Sequence, residues 1–196
     1  YSHIWISRME KDLGQSPAHC AKVVLFGPES TGKTTLAKKL AAHFNTKWVP
    51  EFARAYLQKK WDEKQEICTK DDLPLIAAGQ MKLENEKAAQ ANAILFCDTD
   101  LLVTTTYSEV YFDGYCDPQL RAFALKNTYD LYLLTNIDIP WVADDLRDKP
   151  NERVQMLNRF TSTLNKLQRP YAVVQGQGEE RFRSALQAIE QHLPYV

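Results

Sequence analysis

The chain has 196 residues, 44% of them hydrophobic, with 24 basic and 25 acidic side chains and a formal charge of −1. That length supports one sizeable core and hence one domain. The balanced charge leaves no global field for nucleic acid or an anionic membrane, so an anion would need a local site. No apolar run approaches the roughly 20 residues of a membrane span, and Ile4-Trp5-Ile6 is too short for a signal-peptide core. Cys20, Cys68, Cys97 and Cys116 form no C-x-x-C pair and Cys97 lies in an apolar run, the pattern of reduced thiols in a cytoplasmic protein rather than a disulfide frame or zinc site.

Residues 1–21, which begin at Tyr1 rather than Met and contain Gly14, Ser16 and Pro17, read as a leader or linker docked on the surface. The domain proper is expected over 22–196. Lys22-Val23-Val24-Leu25-Phe26 is a β-branched apolar run suited to a strand buried on both faces. Gly27-Pro28-Glu29-Ser30-Thr31-Gly32-Lys33-Thr34 then matches the phosphate-loop pattern, with a helix immediately after it. The glycines let the backbone turn tightly and approach a polyphosphate, whose oxygens meet inward N–H groups at a helix N-terminus. Lys33 would reach the β and γ phosphates, Thr34 would sit on Mg²⁺, and Thr35 could add an α-phosphate contact. Leu36, Ala37, Leu40, Ala41 and Phe44 make the apolar stripe of the helix.

Thr46–Val49 predicts a second short strand ended by Pro50, followed by a helix over Phe52–Lys60 and a loop over Trp61–Cys68. Glu51 and Arg54 fall at the strand-to-helix junction, where ligands of open α/β sheets gather. Thr69-Lys70-Asp71-Asp72 has the spacing of a helix start, and the helix should run to about Ala91. Gln80 and Glu84 interrupt its stripe and fit either a solvated helix edge or a substrate role.

Ala93–Cys97 is the third strand. Asp98 at its tip is assigned to the metal or its water shell, and Asp100 to a helix cap or a substrate ligand before the helical run Leu101–Tyr107. Tyr107, Tyr111, Phe112 and Tyr115 fit either core packing or a stacking surface for a flat ring. Leu131–Leu134 is the fourth strand. From Asn136 to about Glu152 the periodicity lapses and Asp138, Asp144, Asp145, Arg147, Asp148 and Lys149 collect between prolines. That stretch fits a solvated loop or a lid that delivers Arg to developing charge; the phosphate loop favours the lid. A helix over Glu152–Gln168 projects Arg153 back toward it. Tyr171–Val174 is the fifth strand, and a last helix covers Glu179–Leu193. Strands alternating with helices predict a parallel sheet covered on both faces, an α/β architecture.

A phosphate loop, a metal-organising acid, a carboxylate beside an acceptor cleft and an Arg-bearing lid are the parts of a small-molecule kinase. With those residues in view, the chain resembles the ribosylnicotinamide kinase domain of the bacterial NadR family. The resemblance rests on Phe26–Gly32, on Glu51-Phe52-Ala53-Arg54, on Asp98-Thr99-Asp100 and on Trp141-Val142-Ala143-Asp144-Asp145-Leu146-Arg147, and extends from about Lys22 to the C-terminus. It departs at Asp145, where the family tends to have Gly. The resemblance implies a three-layer P-loop NTPase fold of the nucleoside-kinase kind, with a five-stranded parallel sheet. It also implies transfer of the ATP γ-phosphate to the 5′-hydroxyl of nicotinamide riboside, with Mg²⁺ as cofactor. The expected catalytic residues are Lys33, Glu51, Asp98 and Arg147. The expected ATP site is Gly27, Glu29–Thr35 (Ser30, Thr31, Gly32, Lys33 and Thr34 within it), Arg147 and Arg153. The expected pyridine-nucleoside site is Trp48, Glu51, Arg54, Asp100, Tyr107, Tyr111 and Trp141, and the metal would be held by Thr34 and Asp98. The alternatives are a broader nucleoside or nucleotide kinase and a non-catalytic ATP-binding module. The adenylyltransferase domain that often precedes this kinase in the family has no counterpart in these residues, and residues 1–21 are expected to be a linker stub or a short native terminus.

Overall fold

The computed structural model describes residues 12–147 and 149–196; the expectations placed on residues 1–11 and Asp148 lie outside that range. Five strands, β1 (Ala21–Phe26), β2 (Trp48–Val49), β3 (Ile94–Asp98), β4 (Leu131–Thr135) and β5 (Tyr171–Val174), form one sheet in the order β2-β3-β1-β4-β5. Every pairing is parallel. Period-2 alternation sends successive side chains to opposite faces. Val24, Phe26, Val49, Leu95, Cys97, Tyr132 and Leu134 fill one core, while Val23, Leu25, Ile94, Phe96, Leu131 and Leu133 fill the other. Apolar stripes of α1 (Lys33–His43) and α7 (Glu179–His192) cover the second face. On the first lie α3 (Asp72–Gln90), α4 (Leu101–Tyr111), α5 (Pro118–Lys126) and α6 (Arg153–Lys166). Helices on both faces of a parallel sheet make three layers, as expected. The Phe26 ring meets Tyr132 and Phe160 edge-on, at centroid separations of 5.2 and 4.9 Å.

Several boundaries move, each for a local reason. Helix α2 runs over Phe52–Lys64, so Trp61 is helical rather than in a loop, and the helix stops at Gln65 in the left-handed region (φ 56°). Thr69 does not cap α3; its N–H and hydroxyl both donate to the Asp72 carboxylate, the reverse of the expected polarity. Helix α5 was missed altogether, although Asp117 accepts from the Gln119 and Leu120 amides and Pro118 takes the first turn. Leu13, only 1% exposed, is a core residue, and Asn85 binds both Gly14 O and Ser16 N–H. The described part of the expected leader is therefore knitted into the domain from Leu13 onward. Glu84 is not a solvated edge: it is buried, paired with Lys22 at 3.4 Å and accepting from Tyr129 Oη at 2.6 Å.

The central strand β1 is flanked by β3 on one side and β4 on the other, which places a topological switch point at its carboxyl end. The phosphate loop, Glu51 and Asp98 all follow or end strands along that edge.

Candidate active site

The loop after β1 is shaped by its own polar groups. Gly27 turns with φ 146°, and a Cβ there would lie 2.5 Å from Thr135 Oγ1, so only glycine fits against β4. Gly32 (φ 79°) is the N-cap of α1. Thr31 is fully buried, its hydroxyl 2.8 Å from Pro28 O and 2.7 Å from Thr135 Oγ1. Lys33 Nζ donates to Pro28 O at 2.7 Å, folded over the hollow that the loop encloses. Glu29, Ser30, Thr31, Gly32, Lys33, Thr34 and Thr35 all line a cleft of about 500 Å³. Gly27 does not; it makes the turn that lets the others do so.

Asp98 ends β3, fully buried, and accepts a hydrogen bond from Thr34 Oγ1 through one carboxylate oxygen. Its other oxygen is buried without a partner among the described residues. Burial raises the Asp98 pKa, against the pull of Lys33 and the Thr34 hydroxyl. An orphaned buried carboxylate oxygen is costly unless a cation or ordered water meets it. A hydroxyl beside a carboxylate at the foot of a phosphate site suits Mg²⁺, which takes one or two protein oxygens and fills its shell with phosphate and water. The next residue, β-branched Thr99, is held at φ 73° and lines the cleft, a strained conformation of the kind found at functional sites.

Glu51 faces the phosphate loop from the junction of β2 and α2. Burial, reinforced by repulsion from Asp98, raises its pKa to about 7, although Lys33 and Arg54 pull the other way. The side chain that fixes this junction is Gln80: its Oε1 accepts from Phe52 N–H at 2.8 Å and its Nε2 donates to Pro50 O at 3.2 Å, bracketing Glu51. Gln80 is buried and lines the cleft, so it is not a solvated edge.

Three helix stripes build the rest of the cleft: Ala53, Arg54, Leu57 and Trp61 from α2, Leu73, Ile76 and Gln80 from α3, and Val103, Thr104, Tyr107 and Tyr111 from α4. Leu57, Trp61 and Ile76 were not foreseen, though positions 53, 57 and 61 share one helix face. Over the mouth lies part of the segment after β4 that was expected to form a lid. Arg54 forms an ion pair with Asp144, and Gln58 Nε2 donates to Asp145 at 3.0 Å. Arg147 enters the cleft with its Nε 3.3 Å from Asp144 and its Nη1 donating to Val142 O at 2.8 Å. Asp145 lines the cleft and is not among the positive-φ residues, so the turn there accepts Asp where the resembled family tends to have Gly.

Four expected ligands belong elsewhere. Trp48 points to the α1 face of the sheet, packed with the second core and capped by Lys38 Nζ at 5.3 Å, because its neighbour Val49 takes the other face. Asp100 is 2% exposed, caps α4 through Val103 N–H and accepts from Tyr132 Oη at 2.8 Å; it is a cap, not a substrate ligand. Trp141 sits outside the phosphate loop in a minor crevice, under the Arg153 guanidinium at 5.8 Å. Arg153 donates to Ser30 O and Ile139 O from that outer side and does not line the cleft. A residue that sequence reasoning did not single out, Arg181 of α7, holds the same loop from behind.

This fold and site define a phosphate-loop nucleotide-binding protein of the nucleotide-kinase architecture. A family model described as "AAA domain" matches residues 22–181, and the chain belongs to that family. It is similar to the trifunctional NAD biosynthesis/regulator protein NadR of Salmonella typhimurium and of Escherichia coli, at 33% identity over 131 residues in each case. The match covers 67% of this chain and 32% of each relative, so the chain spans about a third of the curated relatives it matches. Two solved structures of NadR protein, one in complex with NR and one with NAD and AMP-PNP, superpose with a TM-score of 0.71 at 24% identity. They cover 91% of this chain and 53% and 51% of theirs. Thymidylate kinase from Candida albicans shares the fold at a TM-score of 0.61 and 15% identity, covering 90% of this chain and 93% of its own. The expected P-loop kinase fold is thus observed. Among the described residues, no helix is long and apolar enough to cross a membrane.

Proposed function

We propose that the protein is a kinase that transfers the γ-phosphoryl group of ATP to the 5′-hydroxyl of nicotinamide riboside, giving nicotinamide mononucleotide in NAD biosynthesis. The observation that carries this reading is the opposition, in one cleft, of a phosphate loop and a carboxylate with a pKa raised to about 7, Glu51. The likeness to NadR, whose solved structures hold NR or NAD with AMP-PNP, supports the choice of substrates.

Lys33 and the loop amides hold the transferring phosphate, with Arg147 and Arg54 supplying positive charge from the lid side, since such chemistry is mainly positioning and electrostatics. The ribose oxygen attacks the γ-phosphorus and the bond to the β-phosphate oxygen breaks, its electron pair leaving with ADP. Glu51 takes the hydroxyl proton; a base with a pKa near the working pH suits that step. Thr34 and Asp98 would hold Mg²⁺, which would supply charge neutralisation to the phosphates. Leu57, Trp61 and Ile76 form an apolar floor for the flat ring, and Tyr107 and Tyr111 offer aromatic faces to a cationic pyridinium. The cysteine spacing, with no C-x-x-C pair, supports a reducing, cytoplasmic setting.

The same apolar floor would admit other flat bases, which favours a broader nucleoside kinase as the second reading. A substrate panel with Mg-ATP separates them. Product from nicotinamide riboside well ahead of uridine, cytidine and deoxynucleosides supports the proposal; comparable rates on all support the second reading. ATP binding without product from any nucleoside points to a non-catalytic module and overturns both.

A further inference from the structure

Arg181 is a charged residue only 5% exposed, and it lies outside the cleft, behind the phosphate loop. Its guanidinium donates to Thr31 O through Nη2 at 2.7 Å and Nε at 3.2 Å. The same fork donates to Asn136 O at 2.7 Å and Gly176 O at 2.9 Å, and pairs with Asp138 at 2.8 Å. Asp138 in turn accepts from Gly176 N–H at 2.6 Å. One side chain therefore ties together the phosphate loop, the root of the lid after β4 and the turn after β5.

A trans peptide is planar, with its C=O and N–H pointing opposite ways. A guanidinium that holds Thr31 O on the outer side of the loop thus turns the Gly32 N–H toward the cleft that Gly32 lines. We infer that Arg181 is a positioning residue for the donor site: it fixes the Thr31–Gly32 peptide so that its N–H is presented to the nucleotide phosphates before they bind. Arg153 does the same one peptide earlier, holding Ser30 O from the outer side and so orienting the Thr31 N–H. Because Asp138 neutralises Arg181, the effect is geometric rather than a matter of net charge. A fork of fixed N–H directions can hold one carbonyl twice while reaching two others; a lysine ammonium cannot.

The inference rests on the loop being a nucleotide site, not on the identity of the acceptor. The test compares ADP with adenosine, which lacks phosphates, on wild type, Arg181→Lys and Asp138→Asn. Arg181→Lys keeps the charge and should weaken ADP by about tenfold, the loss of roughly one good hydrogen bond to a charged group. Asp138→Asn leaves the arginine in place but loosens it, and should weaken ADP by about threefold. Adenosine affinity should stay within about twofold in both. Asp138→Asn decides the matter if Arg181→Lys does not fold. ADP binding to either folded variant at the wild-type level overturns the inference, as does a parallel loss of ADP and adenosine, which would mark a merely structural role. Failure of wild type itself to bind ADP would instead remove the nucleotide reading.

Discussion

Replacing Glu51 by Gln should make the protein a slower enzyme and a more stable one. The carboxylate titrates near 7 in the folded protein against an ordinary value of 4.5, driven up first by burial and then by Asp98. A carboxyl group with a raised folded-state pKa favours the folded state fully only below its unfolded value. Stability is lost as pH climbs from 4.5 to about 7 and stays lost above. At 1.36 kcal/mol per unit, the ionised wild-type side chain costs on the order of 3 kcal/mol at pH 8. Neutral Gln keeps the shape without that cost. Thermal unfolding of wild type and Glu51→Gln at pH 5 and pH 8 should show the variant gaining stability at pH 8 and little at pH 5. Turnover should fall about 10²- to 10⁴-fold, as for loss of a general base, while ATP binding changes little. Wild-type kcat/KM should rise with pH through about 7. A stability difference independent of pH would refute the shifted carboxylate, and near-normal turnover would refute its role as base.

Asp100→Ala should cost about 2–4 kcal/mol through the lost cap and the buried Tyr132 hydroxyl it leaves unpaired, with the acceptor KM unchanged, whereas Asp100→Asn, which can still cap and accept from Tyr132, should be tolerated; chemical denaturation and initial rates read both. Trp61→Ala should raise the acceptor KM roughly tenfold or more through lost apolar contact, leaving the ATP KM alone. The ring of Phe52 presses on Gly79 so closely that any Cβ would overlap it. Gly79→Ala should therefore destabilise by about 1–3 kcal/mol, despite alanine's better helix propensity, and slow turnover by shifting the neighbouring Glu51; Phe52→Leu in the same chain should recover part of the stability.

The phosphate loop was legible because its logic is local, whereas Arg153, expected beside it as a ligand, lies on its outer side. Glycines, lysine and hydroxyl at fixed spacing between a buried strand and a helix leave few other meanings, and the strands announced themselves as short apolar runs. The acceptor half was not, because its floor is assembled from three helices, and a stripe such as Ala53, Leu57 and Trp61 reads the same whether it faces a core or a cleft. Trp48 and Val49 show the limit in a strand: adjacent residues face opposite sides, and only the sheet's placement tells which side holds the cleft. Asp98 and Asp100 share one face by spacing, yet one ends the strand beside Thr34 and the other turns inward to Tyr132. Arg181 and Gln80 act on backbone carbonyls and amides far away in sequence, partners that carry no residue signature at all.

The central claim is that Glu51 and the phosphate loop serve one two-substrate reaction on a pyridine nucleoside. Its most direct test is the kcat/KM for nicotinamide riboside with Mg-ATP, set against that for uridine. The account predicts a clear preference for nicotinamide riboside, with nicotinamide mononucleotide and ADP formed one for one and the rate lost in Glu51→Gln. Equal efficiency on both nucleosides, or ADP formed without nicotinamide mononucleotide, would contradict it.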